Sequence, residues 1–130
     1  MVNSYGKNAG KVWTALNAYG PLNKEELIRK TRLKDNDFFA AVGWLARENK
    51  LSKNGSKYEL KETNLTNKIG GDAGKIWNIL YSNGKCSISS LSKASNIGIY
   101  DAYSALGWLA CEDKIDISKD KRIKYYLKNT

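Results

Sequence analysis

The stretch Asn8-Ala-Gly-Lys-Val-Trp-Thr-Ala-Leu16 decides the fold of this chain, because it returns 64 residues later as Asp72-Ala-Gly-Lys-Ile-Trp-Asn-Ile-Leu80. A second stretch repeats at the same distance, since Val42-Gly-Trp-Leu-Ala-Arg-Glu-Asn-Lys50 returns as Leu106-Gly-Trp-Leu-Ala-Cys-Glu-Asp-Lys114. No gap is needed between residues 8 and 50. A constant spacing over that span predicts two copies of one structural unit.

The two copies divide the 130 residues almost equally. Lys57-Tyr-Glu-Leu60 corresponds to Lys124-Tyr-Tyr-Leu127, which lies 67 residues later, so the second copy has gained three residues near its end. We predict two domains, residues 1–64 and residues 65–130, with residues 61–71 as a short junction. Copy one carries its own complete set of apolar residues, so residues 1–64 are expected to fold by themselves.

Helical periodicity and polar caps predict two helices at the start of each copy. Val12, Trp13 and Leu16 lie at helical spacing, and Gly20 is suited to end that helix, as Gly84 is in copy two. A short polar residue precedes each helix and can accept hydrogen bonds from its first N–H groups. These predicted N-caps are Asn8 and Asn23 in copy one, and Asp72 and Ser87 in copy two.

A third helix and a hairpin complete each copy. The helix is predicted over residues 36–48, and its inward stripe is Phe38, Ala41, Val42 and Leu45, or Ala102, Ala105, Leu106 and Leu109 in copy two. After Lys50 the pattern alternates, and Asn54-Gly55 predicts a two-residue type I′ turn. Three helices with a β-hairpin wing form a winged helix-turn-helix domain. The predicted fold class is therefore α+β, mainly α, with two such domains in tandem.

The repeated motifs also resemble those of a known family. The opening Asn8-Ala-Gly-Lys-x-Trp13 and the close Gly43-Trp-Leu-Ala-Arg-Glu48 are similar to a family of small prokaryotic winged helix-turn-helix proteins of uncharacterised function. The resemblance covers nearly the whole chain, once in each copy, and Cys111 replaces Arg47 in the second. It implies a tandem duplication of the winged helix and nucleic-acid binding, and it implies no established activity.

Glycines and tryptophans recur at matched positions inside the predicted helices. Gly10 and Gly43, with their counterparts Gly74 and Gly107, each cost about 1 kcal/mol relative to alanine in a helix interior. Their recurrence predicts a close backbone approach, either between the first and third helices or against a tryptophan ring. All four tryptophans are predicted to lie in the core: Trp13, Trp44, Trp77 and Trp108.

The composition excludes most catalytic and metal sites. The chain has no His, so neither a Ser-His-Asp triad nor a His-ligated zinc site is possible. Cys86 and Cys111 form no CxxC pair, and we expect Cys86 to be buried and Cys111 to be more accessible. We therefore expect no enzyme activity, no cofactor and no metal. No apolar run is long enough for a membrane span or a signal peptide, so we expect a cytoplasmic protein without membrane contact.

The net charge of +9 points to an anionic partner. Lys and Arg cluster in the second helices and the wings, and such clusters displace condensed counterions from phosphates. The candidate nucleic-acid contacts there are Arg29, Lys30, Arg32, Lys34, Lys53, Lys57, Lys93, Lys119, Lys121, Arg122 and Lys124. The alternative is that this charge only keeps the protein soluble.

The residues on the outward face of the third helix help to distinguish DNA binding from protein binding. Asn36 is suited to contact adenine and Arg47 to reach a phosphate, so both join the candidate nucleic-acid contacts. The neighbouring Asp35, Asp37 and Asp101 repel DNA, which makes this a poor sequence-reading helix. Three aromatic residues on the same face are candidates for contact with a protein or with the other copy: Phe39, Tyr100 and Tyr103.

The leading hypothesis is a double-stranded DNA-binding protein, either a transcriptional regulator or a chromatin-associated factor. Wing and second-helix cations would hold phosphates, with the third helices at or near the major groove. One chain would act as a covalent pseudo-dimer and span two half-sites without self-association. The alternative is a protein–protein interaction scaffold, because tandem winged helices also build subunits of the ESCRT-II sorting complex and of the transcription machinery.

Overall fold

The computed structural model describes residues 3–128, and the first copy of the repeat has three helices and three strands. These elements are α1 (Asn3–Tyr19), β1 (Leu22–Asn23), α2 (Lys24–Thr31), α3 (Asp35–Arg47), β2 (Leu51–Asn54) and β3 (Lys57–Leu60). The strands form an antiparallel sheet in the order β1-β3-β2, in which Leu22 pairs with Tyr58 and Leu51 with Leu60.

The second copy repeats this order after a short π-helix, Thr66–Gly70. It consists of α4 (Gly71–Asn83), α5 (Ile88–Ser95), α6 (Ile99–Cys111), β4 (Ile115–Lys119) and β5 (Ile123–Leu127). Strands β4 and β5 pair antiparallel, and Cys86 forms an isolated bridge to Tyr125 where copy one has β1. Two tandem winged helix-turn-helix domains, mainly α, are therefore confirmed as the fold class.

The predicted caps are right for the second helices and wrong for the first. Asn23 accepts from the backbone N–H of Glu26 at 2.8 Å while the Glu26 carboxylate accepts from the Asn23 N–H, and Ser87 caps α5. The first helix begins at Asn3, so Asn8 lies buried inside it and caps nothing. Asp72 lies inside α4 and binds Lys68 at 2.7 Å. Both helices start earlier than predicted because the turn before each motif also carries a buried apolar residue.

The turn residues follow the predicted positions, with one correction in the first wing. Gly20 and Gly84 end α1 and α4 with φ of 78° and 77°, a region where a side chain is strained. In the wing, Asn54 pairs with Lys57, so the two turn residues are Gly55 and Ser56 rather than Asn54 and Gly55. Only Gly55 has a positive φ, 63°, as the first residue of a type II′ turn does, so the predicted type I′ turn is wrong.

Each copy has its own buried apolar cluster, and each cluster also takes side chains from the other copy. The cluster of copy one is built on Val12, Leu27 and Phe38, and it includes Ile69 from the π-helix of copy two. The cluster of copy two includes Tyr5 and Ala40 from copy one. The indoles of Trp44 and Trp108 pack against both clusters. This reciprocal exchange gives the two copies the relation of subunits in a two-fold dimer.

Three of the four tryptophans lie partly buried against the core, and Trp13 does not. Its side chain is 39% exposed, so the predicted core position of Trp13 is wrong. The reason is helical phase, because the neighbouring Val12 is fully buried and Trp13 follows it about 100° further round the helix. Trp77, the counterpart of Trp13, is half-buried and stacks on Tyr81 with the ring centroids 5.2 Å apart.

The closest contact between the copies is a glycine-mediated crossing of α3 and α6. A Cβ atom on Gly43 would lie 1.8 Å from the backbone oxygen of Ser104, and one on Gly107 would lie 1.9 Å from that of Ala40. The predicted close approach is confirmed at these two positions, although the helices involved are α3 and α6. It is wrong for Gly10 and Gly74, where a Cβ would meet no atom within 4 Å.

No helix among residues 3–128 has both the length and the apolar character that a membrane crossing requires.

Substituting Gly43 or Gly107 by alanine tests this crossing. The Cβ would overlap a backbone oxygen that cannot rotate away, so we expect Gly43→Ala to lower the free energy of unfolding by about 2 kcal/mol or more. Gly10→Ala is the matched control, because Gly10 is an exposed helix-interior glycine with open space around it. The control should raise stability by about 0.5–1 kcal/mol. Urea denaturation of both variants measures the difference, and equal stabilities would contradict the crossing.

Tyr58 makes stability depend on pH in the alkaline range. Its ring is 4% exposed and packs edge-on against Phe38, with the centroids 5.5 Å apart. Burial, with a smaller contribution from the Glu25 carboxylate, raises the pKa of Tyr58 from 10.0 to about 12. The unfolded chain therefore releases this proton at a lower pH than the folded chain does. The stabilisation from neutral Tyr58 is complete below pH 10 and is lost as the pH rises to 12.

We expect the free energy of unfolding to fall between pH 10 and pH 12, and Tyr58→Phe to reduce that fall. A pKa difference of two units corresponds to about 2–3 kcal/mol at the upper limit. Urea midpoints measured at pH 9, 10, 11 and 12 for both proteins give the comparison. Parallel curves for parent and variant over this range would rule out the contribution of Tyr58.

Candidate nucleic-acid interface

The outward faces of α3 and α6, for which the sequence left open contact with DNA, with a protein or with the other copy, cover each other. The Phe39 ring stacks on the Tyr100 ring with a centroid distance of 4.8 Å and an interplanar angle of 25°. The Ser104 hydroxyl donates to the backbone oxygen of Phe39 at 3.0 Å. Ala40, Gly43, Ser104 and Gly107 are all buried at this contact. The expectation that these faces lie at the major groove is corrected, because each helix occupies the face of the other.

Polar contacts close both ends of the α3–α6 contact. At one end the Tyr100 hydroxyl donates to Asp35 at 3.2 Å, and the Lys24 ammonium lies 3.6 Å from the same carboxylate. At the other end the Arg47 guanidinium binds Glu112 at 3.1 Å and lies 5.8 Å from the Trp108 ring. Arg47 therefore has a partner within the chain, and its predicted phosphate contact would compete with that carboxylate.

The remaining candidates of the third helices lie at the edges of this contact. Asn36 is half-buried and lines a cavity of about 360 Å³ together with Asp37, Lys7 and Lys119. Tyr103 is half-buried and packs against the cluster of copy two. Tyr100 keeps 46% of its surface exposed beside its stack on Phe39. The contacts of Asn36 with DNA and of these aromatic residues with a partner protein stay predictions.

The predicted phosphate contacts outside the third helices are all exposed, and none has an ion-pair partner among residues 3–128. They are Arg29, Lys30, Arg32, Lys34, Lys53, Lys57, Lys93, Lys119, Lys121, Arg122 and Lys124. Other cations are neutralised within the chain, as Lys61 is by Glu59 and Lys114 by Glu112. Both kinds lie close together at the first wing, where Lys53 and Lys57 are unpaired while Lys50 and Lys61 are paired.

The wing of copy two carries a group of free cations around one cleft. Lys121, Arg122 and Lys124 line a cleft of about 490 Å³ together with Ser118, Asp120 and Lys85. Sequence analysis missed Lys85, which lies before the bridge from Cys86 to Tyr125 and 5.1 Å from the Tyr126 ring. Its position follows from the alignment with Pro21, which precedes β1 in copy one.

A second basic surface, in copy one, also escaped sequence analysis. Lys7, Lys11 and Lys30 line an open groove of about 820 Å³ between α1 and α2, and we call it the α1–α2 groove. Its floor is formed by Gly10, Thr14, Ala15, Ala18, Tyr19 and Thr31. The Lys30 ammonium lies 3.8 Å from the centroid of the Tyr19 ring. The available signal was the spacing of Lys7 and Lys11, which places both on one face of α1.

The two cysteines are expected to differ in reactivity. Cys86 is 6% exposed, its thiol donates to the Gly84 carbonyl at 3.4 Å, and burial raises its pKa. Cys111 is half-buried at the edge of the α3–α6 contact. Burial and the nearby Glu48 carboxylate raise the pKa of its thiol. Because the thiolate is the reacting form, both should be slow at neutral pH, and Cys86 should be the slower.

We expect a thiol reagent such as DTNB to modify the native protein in two phases. Cys111→Ser should remove the faster phase, and Cys86→Ser should remove the slower one. Absorbance traces of the parent and both variants at pH 8 make the assignment. A fast phase that survives Cys111→Ser would show that α6 has a different helical phase from the one described.

Comparison with protein families gives one result. The model of a family described as winged helix-turn-helix domain (DUF2582) matches the chain twice, at residues 2–63 and 64–128. No curated protein and no solved structure matches the chain. Since the two matches together span nearly all of the sequence, the chain belongs to the winged helix-turn-helix family DUF2582 and carries its domain twice.

Proposed function

We propose that this protein binds double-stranded DNA, mainly through the phosphate backbone, as a cytoplasmic transcriptional regulator or chromatin-associated factor. The observation that carries the proposal is the set of fifteen exposed cations without a carboxylate partner among residues 3–128, eleven of which are the contacts predicted from the sequence. Unpaired cations gain most from phosphate contact, because they release counterions without breaking an internal ion pair. The proposal gives no residue a catalytic role.

The internal use of the third helices determines what kind of binding is proposed. Base contacts specify a sequence, whereas phosphate contacts position and hold the duplex. The helix faces that would read bases are covered at Phe39, Gly43 and Tyr100. Most of the side chains still available for DNA are therefore cations suited to phosphates. We therefore propose binding with weak sequence preference, to which Asn36 and Arg47 contribute little.

The same contact bears on the number of chains that act together. The outward face of α3, which a second chain could otherwise cover, is already occupied by the second copy. We propose that the protein acts as a monomer with the shape of a dimer. The division into residues 1–64 and 65–130 belongs to this proposal, although the exchange of Tyr5 and Ile69 makes each copy depend on the other.

A protein partner is the second candidate function. Ile99 and Tyr100, at the start of α6, are each 46% exposed, and apolar side chains grouped on a surface favour protein contact. The Phe39 ring, by contrast, is engaged within the chain. Such an interface would be apolar, and its affinity would depend weakly on salt.

Reversing the charge of the second wing tests the proposed function. Replacing Lys121, Arg122 and Lys124 with Glu should weaken binding to a random-sequence duplex at least about tenfold and lower the salt slope by up to about 2.7. Asn36→Ala should change affinity far less. The matched control replaces the ion-paired Lys50, Lys61 and Lys114 with Glu, which gives the same change in net charge.

Fluorescence anisotropy at several salt concentrations measures these affinities, and circular dichroism checks that each variant is folded. The proposed function predicts that the wing variant binds much more weakly than the control variant. If the parent protein shows no salt-dependent binding to duplex DNA, the proposed function is wrong. A wing variant that binds as well as the parent would show that the second wing is not the contact surface.

A further inference from the structure

We propose that the duplex lies along one side of the molecule only, over the α1–α2 groove of copy one and onto the wing of copy two. This inference rests on the proposed function and names the surface that performs it. It assigns phosphate contacts to Lys7 and Lys11, and it gives the wing of copy one and the first two helices of copy two no main role.

The shape and charge of the α1–α2 groove suit a phosphate backbone. Lys7, Lys11 and Lys30 are exposed, and none forms an ion pair with a carboxylate of the described residues 3–128. No acidic residue lines the groove. The small residues Gly10 and Ala18 on its floor leave room for a sugar-phosphate chain to approach the helix. The groove therefore offers positive charge without local repulsion.

The groove leads directly to the wing of copy two. Lys7 lines the α1–α2 groove and also the cavity of about 360 Å³ on its other side. Lys119 and Ile123 of the second wing line that cavity as well. Asp37 is the one carboxylate that lines this cavity, and the exposed cations on either side of it form a band from Lys30 through Lys7 to Lys119.

The opposite side of the molecule has the same fold and carries fewer of these charges. Sixty-four residues after Lys7, Tyr19 and Lys30 stand Gly71, Asn83 and Ala94, and only Lys75 keeps the charge of Lys11. The two copies contact each other reciprocally through Gly43 and Gly107, so their shapes are matched while their charges are not. A duplex bound symmetrically across two half-sites would meet equal charge on both sides. The unequal charge favours one binding side.

The length of the band is sufficient for several phosphates. Twelve residues separate Lys7 from Tyr19 in one continuous helix, which corresponds to about 18 Å at 1.5 Å per residue. That length covers roughly five base pairs at 3.4 Å each. The second wing extends the band further, because Lys7 and Lys119 line the same cavity.

Two triple variants with the same net charge test the inference. One replaces Lys7, Lys11 and Lys30 with Glu. The matched variant replaces Lys53, Lys57 and Lys75 with Glu, which are exposed, unpaired with any carboxylate of residues 3–128, and placed on the opposite wing and at the counterpart of Lys11. Each variant lowers the net charge from +9 to +3. Binding to a random-sequence duplex is measured by anisotropy at several salt concentrations.

We expect the groove variant to bind at least about tenfold more weakly than the matched variant and to lose up to about 2.7 of the salt slope. A second variant, with Gln at Lys7, Lys11 and Lys30, should show the same loss in smaller measure and guards against an effect of unfolding. If both Glu variants weaken equally, the one-sided surface is wrong while the proposed function stands. If the parent does not bind duplex DNA, the proposed function fails and this inference fails with it.

Discussion

The crossing of α3 and α6 is the contact on which the rest of the structure depends. Two glycines bring the backbones so close that a methyl group on either would overlap a carbonyl oxygen of the other helix. Only at that distance can Phe39 stack on Tyr100 and can the indoles of Trp44 and Trp108 pack against both apolar clusters. A helix-interior glycine costs about 1 kcal/mol relative to alanine. The packing at the crossing offsets this cost for Gly43 and for Gly107.

The crossing also limits how the protein can recognise a partner. It removes from the surface the helix faces that would read bases, so the proposed recognition of DNA rests on the cations that remain free. Those cations are unequally distributed over two copies whose folds match. Lys7 and Lys30 of copy one correspond to the uncharged Gly71 and Ala94 of copy two. Duplication preserved the packing positions, while the charge of the two surfaces diverged.

The sequence predicts the local structure well and the pairing of the copies poorly. The repeat, the inward stripe around Phe38 and Leu45 and the capping by Asn23 follow from periodicity and short-range hydrogen bonding, which a sequence displays directly. The partner of an outward residue such as Phe39 does not follow from periodicity, because a stacked ring and an exposed ring occupy the same helical phase. The α1–α2 groove was missed because Lys7 and Lys30 are far apart in the chain and meet only after α1 packs on α2. The misplaced cap at Asn8 has a similar cause, since the buried Tyr5 lengthens α1 by packing on the other copy.

Nuclear Overhauser effects between the copies, measured with and without bound duplex, test the central claim most directly. The account predicts cross-peaks between the rings of Phe39 and Tyr100, whose centroids are 4.8 Å apart, and between Gly43 and Ser104. These cross-peaks should persist when the protein is saturated with DNA, because the proposed duplex contacts lie on the groove and the wing and leave the crossing intact. Their absence in the free protein, or their loss on DNA binding, would contradict the account.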